Sequence, residues 1–186
     1  MCHTASSSTN RQLGFTLVEQ VVALAVAAIV VAMAVPAMAG LLTRSATRVT
    51  EDALFSAARL ARSSAITHNT HALLCPSADG THCSDEPDWQ QGWIVALDQD
   101  HDGEPETTLL TSGVHDPHVR VVGSAGRDHV RFRPDGSAPG TNLSLVICPH
   151  ASEGGKPRVV VISNAGRIRE AQASSAQQAR CGNHMP

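Results

Sequence analysis

The N-terminal part of the chain contains the stretch Gly14-Phe15-Thr16-Leu17-Val18-Glu19, in which a polar leader ends in glycine and an apolar run begins. No charged residue occurs from Val21 to Ala39. At a helical rise of about 1.5 Å per residue, residues 15–39 are long enough to cross a hydrocarbon core about 30 Å thick. Residues 1–14 lack the apolar core of a secretory signal peptide. We therefore expect a leader followed by a transmembrane helix over residues 15–39.

Glu19 interrupts this apolar run with a carboxylate. An ionised carboxylate in hydrocarbon costs several kcal/mol and is usually retained only where it has a partner. Glu19 is therefore expected to serve a contact with another group. The alternative is a plain single-pass anchor that carries an unused glutamate.

The stretch around Gly14 resembles the class III prepilin signal of type IV pilins and type II secretion pseudopilins. This resemblance implies that a prepilin peptidase cleaves after Gly14 and that the new amine of Phe15 is N-methylated. It implies that Glu19 pairs with the N-terminus of a neighbouring pilin subunit during assembly. The implied location is the bacterial inner membrane, as a single-pass protein, before assembly. Afterwards the protein belongs to a pilus or pseudopilus with its head in the periplasm or outside the cell.

Helical periodicity resumes after Pro36, a residue that predicts a kink. Apolar residues at three- and four-residue steps predict an amphipathic helix over residues 40–68; they are Val49, Ala53, Ala57, Leu60 and Ala61. The arginines of this segment are expected on another face; they are Arg44, Arg48, Arg59 and Arg62.

The sequence pattern of residues 69–186 is typical of a β-rich head. Short β-prone runs alternate with Gly, Pro, Asp and Asn, at residues 71–75, 92–97, 107–110, 118–122, 129–132, 142–148 and 158–163. Runs this short must share one or two antiparallel sheets. The expected class is α+β, with a long N-terminal helix packed on an antiparallel head.

Four cysteines follow the leader, and an even number fits two disulfides in an oxidising compartment. Three pairings are possible, and Cys75–Cys83 with Cys148–Cys181 is favoured. The first pair brackets a turn-rich segment, and the second ties a polar tail to the body. A zinc site from Cys75, His82 and Cys83 is the alternative, although their spacing matches no standard ligand pattern.

Charge is distributed unevenly along the chain. Residues 79–116 hold ten acidic residues and no Lys or Arg. From Arg120 to the end, nine basic residues face four acidic ones, which gives 9 − 4 = +5. The C-terminal third can therefore present a basic face to a polyanion, although a solvated surface is the commoner meaning of such a run.

Several motifs together resemble the GspH/FimT family of minor pilins and pseudopilins. They are Leu74-Cys75-Pro76-Ser77 with Asp79-Gly80 and Cys83, Trp89, Gly92-Trp93-Ile94-Val95, Phe132-Arg133-Pro134-Asp135-Gly136, and Val159-Val160-Val161-Ile162-Ser163 leading to Gly166-Arg167. The resemblance covers almost the whole chain. It implies the type IV pilin-like fold and a subunit at or near the tip of a filament, in either a type IV pilus or a type II secretion system.

Gly166-Arg167-Ile168-Arg169 is similar to the GRxR pattern of the FimT branch, which implies binding of double-stranded DNA during natural transformation. In an extended segment, Arg167 and Arg169 point to one face about 6.5 to 7 Å apart, while Ile168 turns toward the core. Guanidinium groups so placed can hold phosphate oxygens without reading bases. Arg131, Arg133 and Arg158 are further candidates. The alternative is a turn followed by solvated arginines.

Tyrosine is absent and the two tryptophans are distant in sequence, so no aromatic platform for base stacking is expected near these arginines. Binding is then expected to be sequence-independent and strongly weakened by salt. Trp89, Trp93 and Phe132 are expected in the core.

The segment Asp98-Gln99-Asp100-His101-Asp102-Gly103 has the carboxylate spacing that opens an EF-hand loop. Leu109 stands where the bidentate glutamate of such a loop belongs. Asp98, Asp100 and Asp102 are therefore a weak calcium candidate, and an acidic hairpin turn is favoured. No cofactor is expected. Nucleophile-elbow, phosphate-loop and metalloprotease signatures are absent from the sequence, which argues against an enzyme.

Overall fold

The computed structural model describes residues 16–113, 116–124, 126–149 and 155–182, except for the side chains of residues 36, 37 and 39. The helices are α1 (Leu17–His68), a short 3₁₀ helix (Trp89–Gln91) and α2 (Ser175–Gly182). The strands are β1 (His71–Pro76), β2 (Trp93–Asp98), β3 (Thr107–Ser112), β4 (Val119–Val122), β5 (Val130–Phe132), β6 (Leu143–Pro149), β7 (Arg158–Ile162) and β8 (Ile168–Gln172). The α+β class predicted from the sequence is confirmed.

Helix α1 has 52 residues and begins directly after Thr16. The Thr16 hydroxyl accepts a hydrogen bond from the Glu19 amide at 3.3 Å, which satisfies a free N–H of the first turn. The N-terminal part of α1 is long and apolar enough to cross a membrane by length and composition, and it fits a membrane anchor. The helical assignment continues through residue 36, and the kink predicted there stays a prediction.

Helix α1 ends at His68 because Asn69 adopts a left-handed conformation with φ of 51°. Asparagine tolerates this conformation better than most residues. The amide of Thr70 then donates to the Ala65 carbonyl at 3.2 Å, which closes the last turn. The chain leaves the helix here and enters β1 two residues later.

Among the described residues, those up to 38 and those from 39 onward form two compact units. In the second unit, one face of α1 is lined by fully buried small residues and by Leu54, whose burial stabilises the fold by roughly 1.5 to 3 kcal/mol. The buried face follows Leu54, Ala57, Ala58, Ala61 and Ala65. It differs slightly from the predicted stripe, because Val49 is exposed.

The strands form two four-stranded antiparallel sheets, in the orders β3-β2-β1-β5 and β4-β6-β7-β8. Every run predicted as β corresponds to one of the first seven strands. Strand β8 and helix α2 were not predicted, because a polar sequence rich in Gln, Ser and Ala lacks the alternation that indicates a strand.

The two sheets and the second half of α1 share one hydrophobic core. Trp89, Trp93 and Phe132 are its largest fully buried side chains, as the sequence predicted. Because Leu54 contributes to the same cluster, residues 40–68 are part of the folded head and not a separate layer outside it.

Candidate functional site

The N-terminal residues singled out in the sequence are only partly described. Gly14 and Phe15 lie outside the described residues. Glu19 is exposed in the first turn of α1. A carboxylate at this position is also stabilised by the positive end of the helix dipole.

The Gly166-Arg167-Ile168-Arg169 motif forms the turn of the β7–β8 hairpin and the start of β8. The Gly166 amide donates to the Ser163 carbonyl at 2.8 Å, and the Ser163 amide donates to the Arg167 carbonyl at 3.0 Å. The Arg167 amide donates to the Ser163 hydroxyl at 3.3 Å. These bonds fix the backbone that carries Arg167.

Gly166 is required by a close approach between two turns. Its φ is 72°, a value that residues with a Cβ rarely adopt, and an added Cβ would collide with the carbonyl oxygen of Gly136. The Gly136 turn is closed by two bonds between Arg133 and its neighbours, with the Gly136 amide donating to the Arg133 carbonyl at 2.8 Å. The Ala138 amide also donates to the Asn164 carbonyl at 2.9 Å, so the two turns brace each other.

Arg62 of α1 joins this pair of turns. Its Nε donates to the Gly136 carbonyl at 2.9 Å. The same Nε would lie 3.2 Å from a Cβ placed on Gly166. The guanidinium of Arg62 therefore lies beside both glycines and fixes the hairpin turn against the helix.

Arg167 and Arg169 are exposed on either side of Ile168, which is half-buried and packs against the core. Alternation along the strand thus places the isoleucine inward and the arginines outward. Within the described ranges, neither arginine forms an ion pair. The pKa of Arg158 is raised mainly by its hydrogen bond with Glu51, and the charge of the neighbouring Glu170 acts in the same direction.

Two shallow cavities border these arginines. One, of about 450 Å³, is lined by Ser163, Ala165, Arg167 and Arg169. The other, of about 580 Å³, lies between α1 and the hairpin turn. Its lining residues are Phe55, Arg59, Arg62, Ser63, Ile66, Ala165, Arg167 and Ile168.

Three residues at this site were missed from the sequence. Arg59 and Arg62 were expected only to face away from the apolar stripe of the helix, and Phe55 was not considered. The Arg59 guanidinium lies over the Phe55 ring at 5.7 Å from its centroid. An aromatic ring does therefore line a groove next to Arg167, contrary to the sequence-based expectation. Residues 55, 59 and 62 are spaced by four and three residues, which places them on one face of a helix, and this spacing could have grouped them.

The other candidate arginines are separated from this site. Arg131 lies in the other sheet, and its Nε is 3.6 Å from Oδ2 of the buried Asp98. Arg158 lies at the opposite end of β7, and its Nε donates to the Glu51 carboxylate at 2.7 Å. Arg133 is exposed on the turn that touches Gly166. Of the three, Arg133 alone adjoins the motif.

Disulfides join Cys75 to Cys83 and Cys148 to Cys181, the two pairs that the sequence favoured. Both cysteines of the alternative zinc site are therefore bonded to each other. His82 contacts a carboxylate instead, because its Nδ1 lies 2.8 Å from Oδ2 of Asp79. This bond raises the pKa of His82, and hydrogen bonds from His82 and Thr81 lower the pKa of Asp79.

The acidic loop brings four carboxylates together. Oxygens of Asp98, Asp100, Asp102 and Glu106 lie within 4.8 Å of one another. Glu106 was not predicted as a member of this group, although it stands at position 9 of a loop that begins at Asp98, which is a ligand position of the EF-hand pattern. Oδ2 of Asp98 also lies 3.6 Å from Nε of Arg131, a positive neighbour, and 3.8 Å from Nδ1 of His71.

A long N-terminal helix whose second half packs on two antiparallel sheets defines the type IV pilin-like class of proteins. The family model for type II transport protein GspH matches residues 52–166, and that for the prokaryotic N-terminal methylation motif matches residues 9–35. The chain belongs to the GspH family.

Solved structures agree on the fold. The type IV minor pilin FimU of Pseudomonas aeruginosa strain PAO1 is 23% identical, with a TM-score of 0.52, over 72% of this chain and 89% of FimU. The minor pseudopilin EpsH from the type 2 secretion system of Vibrio cholerae is 12% identical, with a TM-score of 0.51, over 68% of this chain and 96% of EpsH. No curated protein sequence matches the chain.

Proposed function

We propose that this protein is a minor type IV pilin that binds double-stranded DNA without sequence preference during DNA uptake in natural transformation. Arg167 and Arg169 are the main phosphate contacts, and Gly166 forms the turn that presents them. Arg133, on the adjoining turn, is a secondary contact. Arg131 and Arg158 are left out because each faces a buried carboxylate.

The observation that carries this proposal is the combination of a fixed backbone with exposed guanidinium groups. Hydrogen bonds within the Ser163–Arg167 turn, within the neighbouring Gly136 turn and between the two turns hold their backbones, and both arginine side chains are exposed. Because the backbone is already ordered, phosphate binding carries no added cost of ordering this loop. Each guanidinium can donate two parallel hydrogen bonds to a phosphate.

The N-terminal residues serve delivery and assembly in this proposal. A prepilin peptidase cleaves after Gly14, Phe15 is methylated, and residues 15–39 cross the inner membrane once before assembly. Glu19 then pairs with the N-terminal amine of a neighbouring pilin subunit. The protein has no catalytic role; its relatives are named as a transport protein, a minor pilin and a minor pseudopilin.

The test uses the full chain in an uncharged detergent and a labelled duplex of arbitrary sequence. Fluorescence anisotropy gives the affinity between 50 and 200 mM salt, concentrations over which phosphate contacts weaken measurably. The double variant Arg167→Ala with Arg169→Ala should lower the salt slope by about 1.8, since each phosphate contact contributes about 0.9. Arg127→Ala is the matched control, because Arg127 is exposed and lines neither of the two cavities. An unchanged salt slope in the double variant would show that Arg167 and Arg169 do not contact the DNA phosphates.

A second candidate is a type II secretion pseudopilin that initiates or caps a filament without binding DNA. It is favoured by the family match to type II transport protein GspH. Deletion of the gene separates the two candidates. Loss of transformation with secretion intact supports the DNA-binding pilin, whereas loss of protein secretion with transformation intact supports the pseudopilin.

A further inference from the structure

The groove between α1 and the β7–β8 turn combines three arginines from two distant parts of the chain. Arg59 and Arg62 come from the helix and Arg167 from the hairpin, and all three line the same cavity of about 580 Å³. No carboxylate belongs to the lining, which otherwise consists of Phe55, Ile66, Ile168, Ala165 and Ser63. The groove is therefore strongly positive, and its charge is complementary to a polyanion.

Arg62 is held in place before any ligand arrives. Its Nε donates to the Gly136 carbonyl at 2.9 Å, and the side chain is half-buried. A guanidinium carries five N–H donors, and this bond uses the one on Nε. This bond fixes the orientation of the guanidinium, so its four remaining donors, on the two Nη atoms, are already positioned.

Arg59 is exposed but is also oriented. Its guanidinium lies over the half-buried ring of Phe55 at 5.7 Å from the ring centroid, within the range of a cation–π contact. Arg59 and Arg62 are three residues apart on a helix, so their side chains lie side by side on one face. Arg167 faces them from the hairpin across the groove.

We propose that this groove is a second phosphate-binding subsite, in which Arg59 and Arg62 hold the phosphates that follow those bound at Arg167 and Arg169. The inference rests on the proposed DNA-binding function and extends its surface from the hairpin onto the helix. The occupant is the sugar–phosphate backbone of DNA. The groove contains no Asn or Gln to read base edges, and the Phe55 face is covered by Arg59.

The arrangement also explains why a short motif can hold DNA in a protein of small net charge. The two arginines of the hairpin provide about two phosphate contacts, which is fewer than the six to ten of a typical DNA-binding protein. Arg59 and Arg62 double that number. The excess of acidic residues lies in residues 79–116, and none of these residues lines the groove.

The test measures duplex binding by the full chain in an uncharged detergent, with Arg59→Ala as the main variant. We expect the salt slope to fall by about 0.9 and the affinity at 50 mM salt to fall about threefold to tenfold. Arg59→Lys keeps the charge and should retain most of the affinity. Arg127→Ala, which removes the same charge from an exposed loop outside the groove, should leave the slope unchanged.

Arg62→Ala is a less direct variant because it removes a contact between the helix and the Gly136 turn. Thermal unfolding followed by tryptophan fluorescence identifies any loss of folded protein in that variant. Arg59 makes no bond to the turns among the contacts of the described residues, so its variant tests the groove alone.

The outcomes separate this inference from the function on which it rests. If the wild-type chain binds no DNA, both are wrong. If Arg167→Ala with Arg169→Ala weakens binding while Arg59→Ala behaves like Arg127→Ala, the hairpin binds DNA and the groove does not. If Arg59→Ala lowers the slope by itself and further lowers it in the double-variant background, the groove is confirmed as a separate subsite.

Discussion

The two ends of the β7–β8 hairpin carry arginines in opposite environments. At the open end, Arg158 is bonded to the buried Glu51 at 2.7 Å, and Glu170 and Asp52 add negative charge around it. At the turn end, about 13 Å away along the strand, Arg167 and Arg169 are exposed, and Arg167 borders a groove that Arg59 and Arg62 also line.

This contrast shows that neighbours decide what an arginine does. Arg158 serves the fold, because it compensates a carboxylate that is 3% exposed. Arg167 and Arg169 add nothing obvious to the core and keep their donors in solvent. All three were candidates in the sequence because each is an arginine in or beside a β-prone segment.

The largest effect should follow from breaking the turn end with Gly166→Ala. The new Cβ would meet the Gly136 carbonyl and force a left-handed backbone, which we expect to cost about 3 kcal/mol or more. Thermal unfolding of the full chain in detergent, followed by the buried Trp89 and Trp93, should shift down by about 10 °C. DNA affinity should fall with it, because the turn presents Arg167.

Gly140→Ala is the matched control for that variant. Gly140 has a similar φ of 79°, but a Cβ there would meet no atom within 4 Å. It should therefore show only the backbone strain, about 1 to 2 kcal/mol. Equal destabilisation by the two substitutions would contradict the close approach of the two turns.

Much of the fold follows from local sequence patterns. The apolar run before Pro36, the seven β-prone runs and the cysteine spacing each indicated an element or bond that the structure contains. Strand β8 was missed because Ile168–Gln172 is mostly polar and mostly exposed. It is recognised as a strand only from its pairing with β7, to Val161 and Val159 among others. Pairing with a neighbouring strand is not determined by the local periodicity of the segment itself.

The next effect concerns the open end of the hairpin, where Arg158→Ala should destabilise the protein by about 2 kcal/mol. It would leave the Glu51 charge buried without its partner, whereas the 34% exposure of the Arg158 side chain limits the loss. Glu51→Gln removes the charge itself and should stay within about 1 kcal/mol of the wild type. Urea unfolding measures both, and a larger loss in Glu51→Gln would reverse the assignment.

The pH dependence of the same pair gives a smaller effect with a defined sign. Burial raises the pKa of Glu51 above its ordinary value of 4.5, although the hydrogen bond and charge of Arg158 act in the opposite direction. A raised folded-state pKa contributes stability that is present at low pH and is lost as the pH rises through that pKa. As the pH falls from 7 to about 4.5, the wild type should therefore gain stability relative to Glu51→Gln. A difference that stays constant over this range would show that Glu51 does not titrate with folding.

The candidate site was only half visible in the sequence. The GRxR motif marked Gly166, Arg167 and Arg169, and alternation correctly placed Ile168 inward. Arg59 and Arg62 were not assigned to it, because more than one hundred residues separate them from Arg167 and only the packed fold brings them to one groove. The same limit applies to Arg131, which was a candidate from the sequence. In the structure Arg131 lies in the other sheet, beside Asp98.

The smallest expected effect tests whether the turn end is organised by the helix as well as by the hairpin. Phe55→Leu keeps the apolar packing of a half-buried position but removes the ring beneath Arg59, whose guanidinium lies 5.7 Å from its centroid. A cation–π contact at an exposed site is worth about 0.5 to 1 kcal/mol, so DNA affinity should fall about twofold to fivefold. The salt slope should stay the same, because no charge is lost. Combined with Arg59→Ala, Phe55→Leu should have no further effect on binding, since the ring acts only through the arginine that it orients. An additive loss in the double variant would instead mean that Phe55 contacts the DNA directly, by stacking on a base.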